Sequence, residues 1–168
     1  VLTAAGFSIV DLGDPAHPGV MATIEQDASC AVMTTDGYAI VAGGSGVAVL
    51  DAAEPTGRPI DTAPISSAAC IGLADDFACV LDAGSLRLLQ IRVLGNPAVL
   101  GEAPAAGSAN RIAADGARTF IAARSSGLLV FEVSELASRR IIRPAGTLGA
   151  RFAEDVAAAG SLAFIADG

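Results

Sequence analysis

The chain has 168 residues, of which 52% are hydrophobic and 17% charged, so its composition is that of a folded protein. Its net charge is −8, and its ten basic residues are arginines, clustered only at Arg139, Arg140 and Arg143. We interpret that cluster as a solvated loop and strand edge. Because phosphate-backbone binding needs grouped cations, we predict no nucleic-acid partner. The apolar runs are too short to cross a bilayer, so no membrane span is predicted.

Short apolar runs and turn residues predict strands along the whole chain. In the best-preserved stretch we place four strands at about 30–34, 38–42, 47–51 and 60–65. Asp36-Gly37 lies between the first two as a hairpin signal, and Asp115-Gly116 holds the matching place further on. Gly44, Gly46, Gly84 and Gly127 mark the next reversal. No amphipathic helix of about ten residues or more is evident.

The pattern repeats about every 40 residues. Its third strand closes on a polar residue at Asp11, Asp51, Gln90 and Glu132. A period of this length built from short strands is typical of propeller blades. The predicted fold class is therefore all-β, a β-propeller of four-stranded antiparallel blades.

Prolines and small residues predict the order of strands in each blade. Pro64, Pro104 and Pro144 fall on or beside the fourth strand, and proline is tolerated at sheet edges. The fourth strand should therefore be outermost. Ala31, Ala113 and Ala157 lie in the first strand, which we expect to be innermost, where sheets crowd around an axis.

The units divide the chain into a partial blade at 1–26, blades at 27–66, 67–107 and 108–150, and a partial blade at 151–168. Most propellers need more blades to close, so we expect a portion of a larger ring. The alternative is that 155–158 joins the N-terminal strands in a fourth blade. With open strand edges, the segment alone is not expected to be a well-behaved monomer.

The stretches VAVLDAAEPTGRP and FSIVDLGDPAHP, with the strands YAIVAGG and LAFIADG, resemble LVIVD repeats. The resemblance covers nearly the whole chain and is strongest at 1–18, 36–59 and 153–168. It is weaker at 86–97 and at 127–143, where prolines are missing. It implies a β-propeller, commonly in secreted or surface-associated bacterial proteins, and it implies no catalytic residue.

Residues for catalysis or cofactor binding are scarce. His17 is the only histidine and lies in a turn, Trp is absent, and the six Phe are expected in the core between sheets. Cys30 and Cys70 share a register in neighbouring units, and with Cys79 they are interpreted as buried free thiols. Turn and cap chemistry explains the carboxylates Asp75, Asp76, Asp82, Glu154, Asp155 and Asp167 without calcium. We therefore predict no catalytic residue, metal or cofactor.

One register has a charge pattern that packing does not require. The first strands open at Cys30, Cys70, Arg111 and Asp155, preceded by Ser29, Ala69, Asn110 and Glu154. If these positions ring a common axis, Arg111, Asp155, Glu154 and Asn110 are candidates for a ligand site at a channel mouth. The alternative is an Arg111–Asp155 ion pair between neighbouring blades.

Two functions from different classes are compatible with these observations. The favoured one is a non-enzymatic interaction or scaffolding module, whose partner is another protein or other domains of its own chain. The alternative is a propeller enzyme or small-ligand-binding domain with its site at the channel mouth. An extracellular, periplasmic or cell-surface location follows from the resemblance alone.

Overall fold

The computed structural model describes residues 2–3, 6–54, 58–63, 65–74, 77–82, 84–90, 97–105, 108–136 and 139–168. These residues form strands, turns and loops, and no helix occurs among them. Accordingly, no helix in the described ranges has the length and apolar character that a membrane crossing requires. The prediction of an all-β chain is confirmed. Pro64, Asp75 and Asp76 lie outside the described residues.

The described residues contain seventeen strands in five antiparallel sheets, and in each sheet the strands adjacent in sequence are paired. The N-terminal sheet contains β1 (Leu2–Thr3), β2 (Gly6–Asp11) and β3 (Gly19–Ile24). The first full sheet contains β4 (Cys30–Met33), β5 (Tyr38–Gly43), β6 (Gly46–Asp51) and β7 (Asp61–Ala63). The second contains β8 (Cys70–Ala74), β9 (Phe77–Asp82), β10 (Ser85–Gln90) and β11 (Val99–Pro104). The third contains β12 (Arg111–Asp115), β13 (Arg118–Ala122), β14 (Leu128–Leu136) and β15 (Arg139–Leu148). The C-terminal sheet contains β16 (Ala153–Ala159) and β17 (Leu162–Asp167).

Glycines make the reversals between the second and third strands possible. Gly46 and Gly127 hold equivalent places and both have positive φ, at 116° and 77°. A Cβ at either position would clash with a carbonyl oxygen, that of Ile65 for Gly46 and that of Leu148 for Gly127. The turns predicted at these glycines are confirmed, and glycine is required there because of the positive φ and the close carbonyl oxygen.

The sheets stack face to face with equivalent strands next to each other. The first strands β4, β8, β12 and β16 contact one another in that order, and the fourth strands β11 and β15 are also in contact. Where β8 meets β12, the Cβ position of Gly72 is 3.5 Å from the Ala114 nitrogen, an ordinary van der Waals distance. The fourth strand is an edge in each full sheet, and it contains Pro104 and Pro144 as predicted.

Among the described residues, four apolar clusters fill the four spaces between adjacent sheets. The largest lies between the second and third full sheets and includes Phe77, Leu88 and Phe131. The expectation that all six Phe are core residues was wrong for two of them. Phe152 and Phe164 are both exposed. Phe152 lies against the Arg124 guanidinium of the β13–β14 turn, 5.3 Å from its ring centroid, whereas no described sheet covers Phe164.

The Arg cluster is part of a strand rather than a loop. Arg139, Arg140 and Arg143 belong to β15, an edge strand, so only the strand-edge half of the interpretation is correct. The Arg140 guanidinium stacks over the Phe77 ring of the second full sheet, 4.5 Å from its centroid. One member of the cluster therefore joins two sheets.

In the described structure β16 pairs with β17 alone, and β1 to β3 pair only among themselves. The alternative in which 155–158 completes a blade with the N-terminal strands is therefore not formed. The prediction that the first strand of this sheet opens at Asp155 was also wrong by two residues. The strand begins at Ala153, which pairs with Asp167, and the register shifts between Ala153 and Asp155.

Candidate functional site

We define the first-strand row as Cys30, Cys70, Arg111 and Asp155. The pairing with the second strands confirms that these positions are equivalent, since they lie opposite Ala42, Leu81, Ala122 and Ala166. Because the first strands pack side by side, the row runs across four consecutive sheets. The row therefore places four ionisable side chains along one side of the stacked sheets.

The residues just before the row hold neighbouring sheets together. The Ser29 hydroxyl donates to the carbonyl of Ala69 at 2.8 Å, and the Asn110 amide donates to the carbonyl of Glu154 at 3.0 Å. Both bonds link one sheet to the equivalent residue of the next. Ala69 has no side-chain donor, so this bond has no counterpart between the second and third full sheets. Asn110 is thus engaged in structure, and sequence reasoning missed the same role in Ser29.

The charged members of the row do not pair with each other. Arg111 donates from its guanidinium to the Asn110 carbonyl at 3.2 Å, and the Asp155 carboxylate accepts from the Val156 amide at 2.9 Å. Among the described residues no salt bridge joins Arg111 to Asp155. The ion-pair alternative is therefore not found, and both side chains are exposed, as is Glu154.

The two cysteines of the row are in direct contact, which the sequence did not predict. The Sγ atoms of Cys30 and Cys70 lie 3.0 Å apart, and the Ile71 amide donates to Cys30 Sγ at 3.3 Å. Cys70 is buried, whereas Cys30 is partly exposed. The sequence did show that the two cysteines hold equivalent positions in neighbouring units, and this is the feature from which the contact could have been predicted.

The contact makes the two thiols chemically unequal. The hydrogen bond from Cys70 lowers the pKa of Cys30 to about 6, with the Ile71 amide and the Arg111 charge acting in the same direction against the effect of burial. The same hydrogen bond, together with burial, raises the pKa of Cys70. Cys30 is therefore the thiol that ionises more readily, and Cys70 is the one that keeps its proton.

The third cysteine is separate from this pair. Cys79 is fully buried in β9, and its Sγ lies 3.1 Å from the Thr119 hydroxyl oxygen of β13. Burial raises its pKa to about 11. The interpretation of Cys79 as a buried free thiol agrees with these surroundings.

The other candidate carboxylates have structural partners. Asp82 is buried against Arg87, with 3.0 Å between its Oδ2 and the Arg87 Nε. The Phe152 and Arg151 amides donate to Asp167 and lower the pKa of its carboxyl. No group of three metal-ligating side chains occurs within the described ranges. His17 lies in its exposed turn, 2.8 Å from the Asp14 carboxylate.

Comparison with known proteins identifies one repeat and one fold. The LVIVD repeat family model matches residues 106–142. The match includes 127–143 in part, a stretch whose missing prolines had suggested a weaker resemblance. This stretch keeps Gly127 and the strand residues LLVFEV after it. No curated protein matches the chain.

Among solved structures, the chain is similar to PorZ, described as an essential bacterial surface component of the type-IX secretion system of human oral-microbiomic Porphyromonas gingivalis. The TM-score is 0.61 at 15% sequence identity. The alignment covers 98% of this chain and 21% of the PorZ chain, so the likeness concerns fold and about a fifth of that protein's length. The family model at 106–142 confirms the resemblance that the sequence motifs predicted: the chain carries an LVIVD repeat.

Proposed function

We propose that the chain is part of a β-propeller that acts as a non-enzymatic protein-interaction or scaffolding module of a secreted or surface-associated protein. Its blades would be the sheets, divided at 1–26, 27–66, 67–107, 108–150 and 151–168. The adjacent first strands support this proposal, as they would surround a propeller axis. The likeness to PorZ, described as a surface component, supports the location.

The observation that carries the proposal is the uncovered apolar face of the C-terminal sheet. Leu162 and Phe164 of β17 are each 61% exposed. Clustered exposed apolar side chains mark interaction surfaces in folded proteins. In the full sheets the corresponding faces are covered by the next sheet. The occupant we propose is therefore another antiparallel sheet, supplied by the same polypeptide or by a partner protein.

A second recognition surface is proposed at the charged end of the first-strand row. Arg111, Glu154 and Asp155 are exposed there, and no salt bridge in the described part of the chain engages them. They are available to a polar group of a partner. Asn110 supports this surface by holding the third full sheet to the C-terminal sheet.

Sedimentation velocity of the 168-residue chain tests the proposal. We expect concentration-dependent self-association through the uncovered face, and we expect Phe164→Asp to shift the protein toward monomer. Met33→Asp is the matched control, because Met33 is similarly exposed but lies in β4. Arg111→Ala tests whether the charged surface at Arg111, Glu154 and Asp155 contributes to this self-association. A compact monomer at all concentrations, or equal effects of Phe164→Asp and Met33→Asp, would count against an interaction face on β17.

A further inference from the structure

We propose that Cys30 and Cys70 are a redox-active thiol pair that closes reversibly into a disulfide between the first and second full sheets. The pair lies outside the proposed interaction face, and it adds a chemical activity to a module that is otherwise expected to bind. Two further observations besides the sulfur contact support it: the geometry of the strands and the different exposure of the two thiols.

The strands hold both sulfurs where a bond needs little movement. Cys30 and Cys70 begin adjacent first strands, and each is fixed by pairing, to Ala42 and to Leu81. The sulfurs are 3.0 Å apart, so bond formation brings them closer by about 1 Å. The Ser29 hydroxyl already holds the two sheets together one residue earlier. The backbone is therefore set for a bridge before oxidation.

Exposure and charge assign the attacking role to Cys30. Cys30 is partly exposed while Cys70 is buried, so a disulfide in solution reaches Cys30 first. The ionisable groups that influence the Cys30 sulfur are Cys70 of β8 and Arg111 of β12, and both favour its thiolate. Reactive cysteines occur in such partly exposed, electropositive surroundings. Arg111 thereby acquires an electrostatic role in the row.

The oxidant required is a low-molecular-weight disulfide, RSSR. The Cys30 thiolate attacks one sulfur, so that a bond forms to Cys30, the RS–SR bond breaks, and RS⁻ leaves and takes a proton from water. Cys70 then loses its proton and attacks the Cys30 sulfur, expelling the second RS⁻. The protein gives up two electrons, and RSSR becomes two RSH.

The first step also prepares the second. The pKa of Cys70 is raised chiefly by its hydrogen bond to Cys30, with burial and the nearby Cys30 charge adding to the effect. Once Cys30 carries the mixed disulfide, its sulfur has no negative charge and no longer stabilises the protonated thiol of Cys70. Cys70 therefore ionises more readily when it is needed as the nucleophile.

Oxidised glutathione is the probe for the test, followed by alkylation of remaining thiols and digestion with a protease that cleaves before Asp. The three cysteines then fall in three peptides, 27–35, 61–74 and 76–81. We expect the first two linked by a disulfide and the third alkylated. The intact chain should lose the mass of two hydrogen atoms, and Cys79→Ala, the matched control, should behave identically.

Variants separate the two roles. Cys70→Ser should accumulate a glutathione adduct on Cys30, and Cys30→Ser should form adducts at least several-fold more slowly. Alkylation of Cys30 in Cys70→Ser should lose the midpoint near pH 6 expected for the unchanged pair, and Arg111→Gln should raise that midpoint by a smaller amount. The proposal is overturned if peptides 27–35 and 61–74 both remain alkylated after oxidation, if peptide 76–81 is linked instead, or if the bond joins two separate chains.

Discussion

Phe120 in β13 and Phe164 in β17 hold the same position in two neighbouring sheets but lie in opposite surroundings. Each pairs with an alanine of its first strand, Ala113 for Phe120 and Ala157 for Phe164. Phe120 is 7% exposed and Phe164 is 61% exposed. The C-terminal sheet covers Phe120 through Ala153 and Val156, whereas no described element covers Phe164. Burial at this position is thus provided by the next sheet rather than by the residue's own sheet.

The same conclusion holds in the other full sheets. Ile40 and Cys79 occupy the position of Phe120 and are 1% and 0% exposed. The residue type changes from one sheet to the next, and the burial does not. We infer that Phe164 would be buried in the same way if another sheet packed on it. Uncovered apolar area of this kind contributes about 25 cal/mol per Å² when it is buried.

The largest expected effect comes from truncating the covered phenylalanine. Phe120→Ala should reduce the free energy of unfolding by about 4 kcal/mol, because it leaves a cavity between packed sheets. Phe164→Ala should change it by less than about 0.5 kcal/mol, as expected for a surface position. Equilibrium urea denaturation of both variants gives the comparison. Similar losses in the two would show that β17 is packed as tightly as β13.

Oxidation of the Cys30–Cys70 pair should stabilise the first two full sheets. A bridge between them closes a loop of about 40 residues, for which a stabilisation of up to about 4 kcal/mol is expected. Urea denaturation of the oxidised and reduced protein measures it, and Cys70→Ser should show no difference between the two conditions. A lower midpoint after oxidation would mean that the bridge strains the sheets.

Breaking the buried ion pair between Arg87 and Asp82 in the second full sheet should have the next largest effect on stability. Arg87→Ala leaves the Asp82 carboxylate buried without its partner, at a cost of about 2 kcal/mol after allowing for the partly exposed Arg87 side chain. Thermal unfolding of Arg87→Ala, with Arg118→Ala as control for a more exposed pair to Glu132, provides the test. Equal effects would indicate that burial of Asp82 is unimportant.

The smallest effects concern the hydrogen bonds between sheets. Asn110→Asp removes the donor to the Glu154 carbonyl and should lower the free energy of unfolding by about 1 kcal/mol. Ala69→Ser places a hydroxyl between the second and third full sheets, where it can donate to the Asn110 carbonyl as Ser29 donates to the Ala69 carbonyl. This bond should raise the free energy of unfolding by about 0.5 kcal/mol. Differential scanning calorimetry resolves both changes. A loss in Ala69→Ser would show that the two junctions differ in backbone geometry.

Much of the fold could be predicted because local chemistry decides it. Gly46 and Gly127 mark reversals that no residue with a Cβ could make, and Pro144 indicates an edge strand. The exposure of Phe164 could not be predicted in this way. Its apolar character is that of a core residue, and only the absence of a covering sheet in the described structure leaves it exposed.

The candidate site was predictable only as a register. The repeat places Cys30, Cys70, Arg111 and Asp155 at equivalent positions, but a register does not give distances between side chains. Sheet stacking brings the two sulfurs together, and the register shift after Ala153 was not visible in the sequence. The Arg111–Asp155 ion pair, the alternative to a ligand site, is not formed, and the Arg111 charge instead contributes to the lowered pKa of Cys30.

Photocrosslinking from position 164 in the natural protein tests most directly whether the uncovered face of β17 is an interaction surface. A benzophenone-bearing phenylalanine analogue replaces Phe164, and the same analogue at Thr35, an exposed turn residue, is the control. We predict that position 164 crosslinks to a defined peptide from another sheet of the same polypeptide or from a partner, and that position 35 does not. If position 164 gives no crosslinked peptide, or the same scattered products as position 35, the face is solvent-exposed in the natural protein and the proposed interaction surface is wrong.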